Sequence, residues 1–342
     1  MRFRFRFCLL CILFFFFCAT QSTVWVERVK PAGVFMPGVR KIAIADFKGP
    51  EQSGSHIASL LQSKLMETHY FEILERDRLA RILDEQKLSM TGIMNEATAS
   101  KIGKLLGVDA LVFGEVTMYQ VEPDEIGSEK VEKKEGTGRY EWVEEKNIFT
   151  GKKQKVKREI MRTVWVDQYY RIRRGTVAVN FRVVDVETGR LLVAHSDSKS
   201  YSSGKVVEGS YRELKPAGEI LQDLSSQLVE KFVGMISPHK VSERRVIESG
   251  SGKIYEGKKF AQAGLWDEAI ACWKEAIQRM PKVSAGYYNL GLAYEIKGDL
   301  DRAETLFKKA ASLNQKKLYM EAILRVRKEK EEQAKLKEQL QQ

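Results

Sequence analysis

The sequence predicts a mixed-sheet α/β domain, followed by an all-α region of paired helices. Over residues 39–240, strand-like and helix-like patterns alternate at first, and later strands follow one another directly. That order is typical of a compact α/β domain with a mixed sheet. In the carboxyl-terminal third, a set of residue types recurs at a fixed spacing, which indicates repeated helical hairpins. With 342 residues, 43% apolar and 30% charged, the chain is long enough for two or three domains and too apolar for a disordered protein.

The periodicity of apolar residues predicts the elements of the first domain in order. The helices are expected at 55–68, 77–86, 96–106 and 220–235, and the strands at 39–47, 71–74, 110–121, 176–186 and 190–196. The last strand is expected to fray in the serine-rich run at 200–203. Residues 18–38, which contain Pro31, Gly33, Pro37 and Gly38, are expected to form an arm that precedes the domain.

The amino terminus has the pattern of an export signal. Arg2, Arg4 and Arg6 form a positive segment, and residues 8–18 are an uninterrupted apolar run. Because a spanning helix needs roughly 20 apolar residues, this run is too short to cross a bilayer. We therefore predict a signal peptide at residues 1–17 and an exported mature chain.

Cys18, followed by Ala-Thr-Gln, stands where a bacterial lipoprotein carries its lipidated first residue. Acylation there would anchor the protein to a membrane, since each buried CH₂ contributes about 0.8 kcal/mol. Phe17 is larger than the small residue that lipoprotein signal peptidases prefer. Cleavage a few residues later, or an uncleaved signal, are the alternatives to lipidation at Cys18.

A highly charged insert, about residues 122–172, separates the two strongest strands. From Glu129 to Glu159, 17 of 31 residues are charged, around Trp142 and a predicted turn at 147–151. From Glu129 to Arg174 the balance is 14 basic to 8 acidic residues. We expect a solvated hairpin; contact with anionic lipid headgroups is the functional alternative. Insertion into the bilayer is disfavoured, because a Lys or Arg at mid-bilayer costs roughly 2–4 kcal/mol.

Residues 241–314 are predicted to form two tetratricopeptide repeats. Five positions recur at an offset of 34 residues, the period of that repeat, with small residues where helices approach and large ones where they fill gaps. The paired positions are Gly257, Phe260, Ala269, Trp273 and Ala276, then Gly291, Tyr294, Ala303, Phe307 and Ala310. Residues 315–342 are expected to be a charged helical tail, with a capping face at Leu318, Ala322 and Val326.

Two roles are open for these repeats. Tetratricopeptide pairs bind peptides or partner helices on a concave surface. They can also simply pack on the neighbouring domain or on another subunit. Cys272, next to Trp273, is expected to be a buried small apolar residue.

No pattern in the sequence indicates catalysis. The four histidines do not stand at metal-ligand spacing with Cys, Asp or Glu. A phosphate-binding loop and a nucleophile elbow are both missing from the sequence. We therefore expect no enzyme activity, no catalytic residues, no metal and no cofactor. The net charge of +11 would allow contact with nucleic acid, but an exported protein does not meet the genome, so no nucleic-acid partner is expected.

The first domain resembles the CsgG-like family of curli assembly and transport lipoproteins, over roughly residues 18–240. The residues that carry the resemblance are Cys18-Ala-Thr, Lys41–Phe47, Phe71–Arg76, Ile82–Gln86, Lys101–Gly107, Asp109–Gly114 and Val183–Gly189. Members with appended tetratricopeptide repeats resemble the second half of the chain. The resemblance implies an outer-membrane lipoprotein that faces the periplasm of a Gram-negative-type envelope and forms ring oligomers.

In the founding members of the family the rings are channels that export amyloid-forming subunits. Here the loop at 48–54 is short, and the charged insert and the Ser-rich turn at 196–204 replace the membrane hairpins of those members. The resemblance therefore carries over fold, anchoring and self-association, but no pore residues. We expect a periplasmic scaffold that binds exported or periplasmic proteins through its repeats. The alternative is a subunit of an oligomeric secretion channel of the curli type.

Overall fold

The computed structural model describes residues 22–45, 47–74, 96–147, 151–210 and 213–341, with the backbone alone for 96–99. The predicted helix at 77–86 lies outside the described residues. The chain divides into two compact units, Ala32–Ser237 and, together with the chain up to Pro31, Pro238–Gln342. We name the first the sheet unit and the second the helical unit.

The sheet unit is built on a mixed five-stranded sheet. Its strands are β2 (Lys41–Ile44), β3 (Glu72–Ile73), β4 (Ala110–Val121), β7 (Arg174–Asp185) and β8 (Leu191–Ser202), in the spatial order β3-β2-β4-β7-β8. β2 runs parallel to β3 and β4, whereas β4–β7 and β7–β8 pair antiparallel. The helices are α1 (Ser53–Thr68), α2 (Glu96–Leu106) and α3 (Ala217–Ile236). The predicted mixed-sheet α/β domain is confirmed.

Both faces of the sheet are buried at β2 and at the start of β4, whereas alternate residues of β8 are exposed. Side chains alternate along a strand, so Ile42 and Ile44 of β2 join one core with α1 and α3, while Ala43 and Ala45 join another core with α2. In the first core, Phe181 of β7 stacks on Phe232 of α3 with ring centroids 4.2 Å apart. Burial on two sides explains why these strands are apolar at consecutive positions.

Strand β8 runs through the serine-rich run, where the sequence had predicted fraying. Ser196 to Ser202 pair with Asn180 to Arg174 of β7. The hydrogen-bonding partner along β7 keeps this segment extended, and its polar side chains need no apolar alternation because the sheet ladder is made by the backbone.

The charged insert forms a long hairpin, as expected. Strands β5 (Glu125–Lys146) and β6 (Lys153–Ile172) pair antiparallel, and β9 (Val206–Val207) adds a short third strand beside β6. At the predicted turn, the N–H of Gly151 donates to the carbonyl of Asn147 at 2.8 Å. Twenty residues of β6 correspond to a ribbon of roughly 65 Å at about 3.3 Å per residue.

The helical unit combines five helices with one pair of strands. The helices are α4 (Lys253–Gln262), α5 (Trp266–Arg279), α6 (Ser284–Ile296), α7 (Leu300–Leu313) and α8 (Lys317–Leu340). The predicted all-α carboxyl-terminal region is confirmed. In the expected capping face, Ala322 and Val326 are fully buried and Leu318 is partly buried.

The strand pair of the helical unit was not predicted. β1 (Thr23–Lys30) lies in the expected arm and pairs antiparallel with β10 (His239–Val246), with Thr23 opposite Val246. The arm is therefore largely a strand. Its pairing partner follows more than 200 residues later in the sequence, so local periodicity around residue 23 carries no sign of it.

Candidate functional site

The predicted lipidation residue, Cys18, lies outside the described residues. The ten predicted repeat residues all lie in the helical unit, on α4 to α7. They are packing residues: the alanines at 269, 276, 303 and 310 and the large side chains of Trp273 and Phe307 are completely buried. Phe260 differs, since about a third of it is exposed, while Tyr294 is partly buried. Cys272 is buried and unpaired, as expected.

The same close contact occurs twice at the 34-residue offset. A Cβ atom at Gly257 would lie 2.5 Å from Nε1 of Trp273, and one at Gly291 would lie 2.9 Å from the ring of Phe307. Glycine is needed at both places because the neighbouring helix carries a large ring there. The two helix pairs, α4–α5 and α6–α7, thus share one packing arrangement, and their assignment as tetratricopeptide repeats stays a prediction.

Helix α6 contacts the chain's own backbone at the end of β10 and just after it. The hydroxyl of Tyr288 donates to the carbonyl of Val246 at 3.0 Å, and the Asn289 side chain bonds the backbone of Glu248. Val24 of β1 and Ile247 pack into the core of the helices. Burial raises the pKa of Tyr288 to about 12, so its hydroxyl stays protonated and donates. This part of the helical surface is already occupied within the chain.

An ion-pair network joins the strand pair to helices α6 and α8. Glu295 is almost completely buried and accepts hydrogen bonds from Arg245 at 2.9 Å and from Arg325 at 2.7 and 2.8 Å. Arg28 bridges Glu243 and Glu332. Buried charges are tolerated when they are paired and hydrogen-bonded in this way. Breaking one pair would leave its partner's charge buried without compensation.

Two carboxyl groups of this network have pKa values shifted in opposite directions. Burial alone would raise the pKa of Glu243, but hydrogen bonds from Lys30, Arg245 and Arg28 outweigh it and hold that pKa well below its usual value. The pKa of Glu329 is raised, first by burial and then by the negative charge of Glu295. One oxygen of Glu329, Oε2, has no hydrogen-bond partner among the described residues.

Sequence reasoning missed this network. The only signals were a glutamate, Glu295, inside an otherwise apolar helix and the alternating charges of residues 239–246. Neither pattern indicates which residues will pair, because the paired residues come from four different elements, β1, β10, α6 and α8.

The β5–β6 hairpin presents two chemically different faces. Opposite residues in an antiparallel pair share a face and side chains alternate, so even-numbered residues of β5 and odd-numbered residues of β6 form one face. The register shift between Gly136 and Tyr140 adds two residues and preserves this order. We name it the aromatic face, because it carries the large apolar side chains of the described hairpin that are more than half exposed: Ile126, Tyr140, Trp142, Met161, Trp165 and Tyr169.

The base of the hairpin is closed by an ion pair between the residues that flank β5 and β6. The Arg173 guanidinium donates to both carboxylate oxygens of Asp124, at 2.7 and 2.9 Å, and to the carbonyl of Lys215. These hydrogen bonds lower the pKa of Asp124. Bidentate arginine–carboxylate pairs define geometry as well as energy, so this pair holds the two ends of the hairpin together.

Asp109, which precedes β4, has a structural role at the start of β2. Oδ2 of Asp109 accepts the backbone N–H groups of Arg40 and Lys41, at 2.9 and 2.7 Å, and so holds the start of β2. In the part of the chain that the structure describes, no group of three His, Cys, Asp or Glu residues is arranged to hold a metal ion. None of the described helices combines the length and apolar character that crossing a membrane requires.

Two family models match the chain. The model described as curli production assembly/transport component CsgG matches residues 45–235, within the sheet unit. A model of a domain of unknown function, DUF6340, matches residues 255–342. The comparison with curated proteins gave no match.

Among solved structures, the chain is similar to lipoprotein GNA1162 from Neisseria meningitidis, with 14% identity and a TM-score of 0.33, covering 56% of this chain and 97% of that chain. It is also similar to the PelC dodecamer from Paraburkholderia phytofirmans, with 11% identity and a TM-score of 0.28, covering 63% and 98% of the two chains. For the hypothetical protein CT253 from Chlamydia trachomatis the identity is 10% and the TM-score 0.30, covering 58% of this chain and 98% of that chain. These likenesses are too weak to carry a functional argument.

The family assignment rests instead on the match at residues 45–235, which spans more than half of the 342 residues. It agrees with the resemblance predicted from the sequence and with the mixed sheet found there. The chain belongs to the CsgG family.

Proposed function

We propose that this protein is an exported, lipid-anchored scaffold on the periplasmic face of the outer membrane, where it self-associates and binds proteins during export or assembly at the cell surface. The observation that carries the proposal is the CsgG match over the sheet unit, since that family is described by its role in curli production, assembly and transport. The helical unit adds a second surface on which other proteins can dock.

Lipid at Cys18 would hold the helical unit at the membrane. Thr23, the first residue of β1, follows Cys18 by five residues. Five residues span at most about 18 Å when fully extended. Because β1 pairs with β10 along its whole length, the anchor would act on a folded strand pair and not on a long tether. The helices packed on that strand pair would then lie close to the bilayer surface.

Partner proteins are expected to use the outer surface of helices α4 and α5. The face of α6 near Asn289 already binds the chain's own backbone. By contrast, Tyr255, Phe260 and Leu265 expose roughly a third to a half of their surface within eleven residues. Exposed apolar side chains in one segment are a common feature of protein interaction sites.

The channel alternative is less well supported by the hairpin chemistry. A membrane-crossing hairpin needs one apolar face towards lipid, whereas here both faces carry charged residues along their length. A Lys or Arg at mid-bilayer costs roughly 2–4 kcal/mol. We therefore favour the scaffold over a pore-forming subunit, and no enzyme activity is proposed.

Site-specific photo-crosslinking in intact cells tests the proposal. A photoreactive residue at position 265 should give an adduct of discrete mass with an exported protein. The same residue at Lys317, whose side chain is 89% exposed, serves as a matched control and should give none. Adducts at neither position, or equal adducts at both, would contradict docking on α4–α5. Bilayer conductance of the detergent-extracted native protein would favour the channel instead.

A further inference from the structure

The charges of the β5–β6 hairpin are divided unequally between its two faces. Among the residues paired in the two strands, the aromatic face carries seven basic and four acidic side chains, whereas the opposite face carries three basic and five acidic ones. The basic residues of the aromatic face are Lys130, Lys134, Lys146, Lys153, Lys155, Lys157 and Arg171. Exposed aromatic rings and the surplus of positive charge therefore lie on the same side of the ribbon.

Four of the five acidic side chains of the opposite face already have ion-pair partners. Glu125 pairs with Arg174, Glu129 with Lys205, Glu135 with Arg162, and Glu145 with Arg158. Glu141 alone among these five acids has no ion-pair partner within the described residues. This face is therefore close to electrostatic balance.

On the aromatic face, by contrast, most lysines have no carboxylate partner among the described residues. Lys153 pairs with Glu144, but within the described residues Lys130, Lys134, Lys146, Lys155 and Lys157 have no carboxylate at ion-pair distance. The ammonium group of Lys157 lies 4.5 Å above the ring of Tyr140. These lysines, next to Trp142 and Trp165, form a positively charged surface with exposed rings, and none of them has a carboxylate partner among the described residues.

We propose that the aromatic face binds the surface of a lipid bilayer that contains anionic headgroups, with the ribbon lying along the interface. Trp and Tyr rings prefer the headgroup level, where one side of the ring is apolar and the other is wet. Lysine stems can lie among the apolar groups while their ammonium groups stay with the headgroups. The charged opposite face then stays in water, so the hairpin does not have to cross the bilayer.

A second copy of the chain fits less well. It would have to offer a negative surface to the aromatic face, and four of the five acids of the opposite face are already paired with arginine or lysine. A lipid surface also explains why exposed aromatic rings and lysines occur together. A contact with another protein would instead favour aromatic side chains without lysines around them. The inference rests on the proposed envelope location, but it requires neither lipid at Cys18 nor docking on α4–α5.

Vesicle binding of the full chain carrying Cys18→Ala tests the proposal, because this variant has no acyl anchor. We expect it to sediment with vesicles of phosphatidylcholine and one third phosphatidylglycerol, and much less with phosphatidylcholine alone. Binding should weaken in salt, since the screening length falls from about 10 Å at 0.1 M to about 3 Å at 1 M. Equal binding to both kinds of vesicle, or none to either, would overturn the proposal.

Paired variants then assign binding to one face. Lys155→Gln with Lys157→Gln should reduce affinity about 25-fold, since each basic residue near an anionic surface contributes about five-fold. The matched control, Lys133→Gln with Arg158→Gln, removes the same charge from the opposite face and should change affinity less than about two-fold, because those charges point away from the membrane. Equal losses in both variants would contradict the assignment.

Tryptophan fluorescence gives an independent readout. Anionic vesicles should shift the emission to the blue, and Trp142→Phe with Trp165→Phe should abolish the shift while the protein stays folded by circular dichroism. If the protein sediments without vesicles, and Lys155→Gln with Lys157→Gln prevents this, then the aromatic face binds a second copy and the lipid proposal is wrong. Cell fractionation and crosslinking at position 265 test the proposed function separately.

Discussion

Asn289 binds the backbone of Glu248 at two points: its Oδ1 accepts the N–H of Glu248 at 2.8 Å, and its Nδ2 donates to the carbonyl of Glu248 at 2.9 Å. Asn289 is fully buried in α6. The chain just after β10 is therefore held by a side chain 41 residues away, and this contact joins the strand pair to the helices. The face of α6 around Asn289 therefore binds an extended segment of the same chain.

Replacing Asn289 with alanine should release this segment. Two polar backbone groups of Glu248 would lose their partner in a partly buried place, and each unsatisfied buried group costs roughly 1–3 kcal/mol. We expect Asn289→Ala to destabilise the helical unit by about 2–4 kcal/mol, measured as faster hydrogen exchange in residues 239–248 and 284–296. As a control, Ser312→Ala removes an exposed side chain and should change stability by less than about 0.5 kcal/mol. Unchanged exchange in 239–248 would show that the amide contact does not hold the strand pair.

The repeated glycines should resist substitution in both helix pairs. In Gly257→Ala the new methyl group would meet Trp273 at 2.5 Å, and in Gly291→Ala it would meet Phe307 at 2.9 Å. Each variant should lose about 1–3 kcal/mol of unfolding free energy through overpacking, measured by thermal or urea unfolding. Gly218→Ala in α3, where no atom lies within 4 Å, should instead gain about 0.4–1 kcal/mol. Tolerance at both 257 and 291 would mean that the 34-residue packing register is wrong.

Removing the buried charge of Glu329 should stabilise the protein at neutral pH. The folded-state pKa of this carboxyl is raised above its ordinary value of 4.5, so the folded state binds the proton more tightly than the unfolded state does. Stability therefore falls as pH rises from about 4.5 through the folded-state pKa. Glu329→Gln should have a higher Tm than the parent at pH 7, and the difference should vanish towards pH 4.

Replacing Glu243 should change the Tm at pH 7 in the opposite direction, so this residue serves as the comparison. Its folded-state pKa is lowered below 4.5, so its contribution is complete at neutral pH and is lost as pH falls below about 4.5. Glu243→Gln should lower the Tm at pH 7, and its deficit should shrink in acid. The same sign of ΔTm for both variants at pH 7 would contradict the description of the network.

Lipid at Cys18 should decide whether the protein resists extraction from membranes by salt. In cell fractionation, the parent chain should stay with membranes in high salt, because acyl chains are held by apolar burial and not by charge. Cys18→Ala should be released by the same salt, which screens the lysines of the aromatic face. A variant that stays membrane-bound in high salt would end the lipoprotein proposal.

Much of the sheet unit could be predicted from the sequence, because its signals are local. Residues 110–121 have one of the two strongest strand patterns in the sequence, and the strand forms at those residues. The charged insert was expected as a hairpin with a turn at 147–151, and β5 and β6 flank that turn. The residues that recur at the 34-residue offset include the two glycines that lie against a large ring. This recurrence is expected, because a small residue and a large ring must occur together wherever two helices approach in the same way. The hydrophobic pattern of a strand or helix depends on residues that are close together in the sequence, so it can be recognised in a single sequence.

Tertiary structure alone decided the contacts between residues distant in the sequence. Thr23 pairs with Val246, and Glu295 lies between Arg245 and Arg325. Many partners were equally compatible with the local patterns around these residues. The register of β5 on β6 is a further case, because it decides that Trp142 of β5 shares a face with Lys155, Lys157 and Trp165 of β6. A shift of one residue would have put Trp142 on the side opposite to these three residues. The sequence by itself thus determined most of the secondary structure of the sheet unit, the family and the 34-residue spacing, whereas chain pairing decided which surfaces are occupied and which remain open for binding.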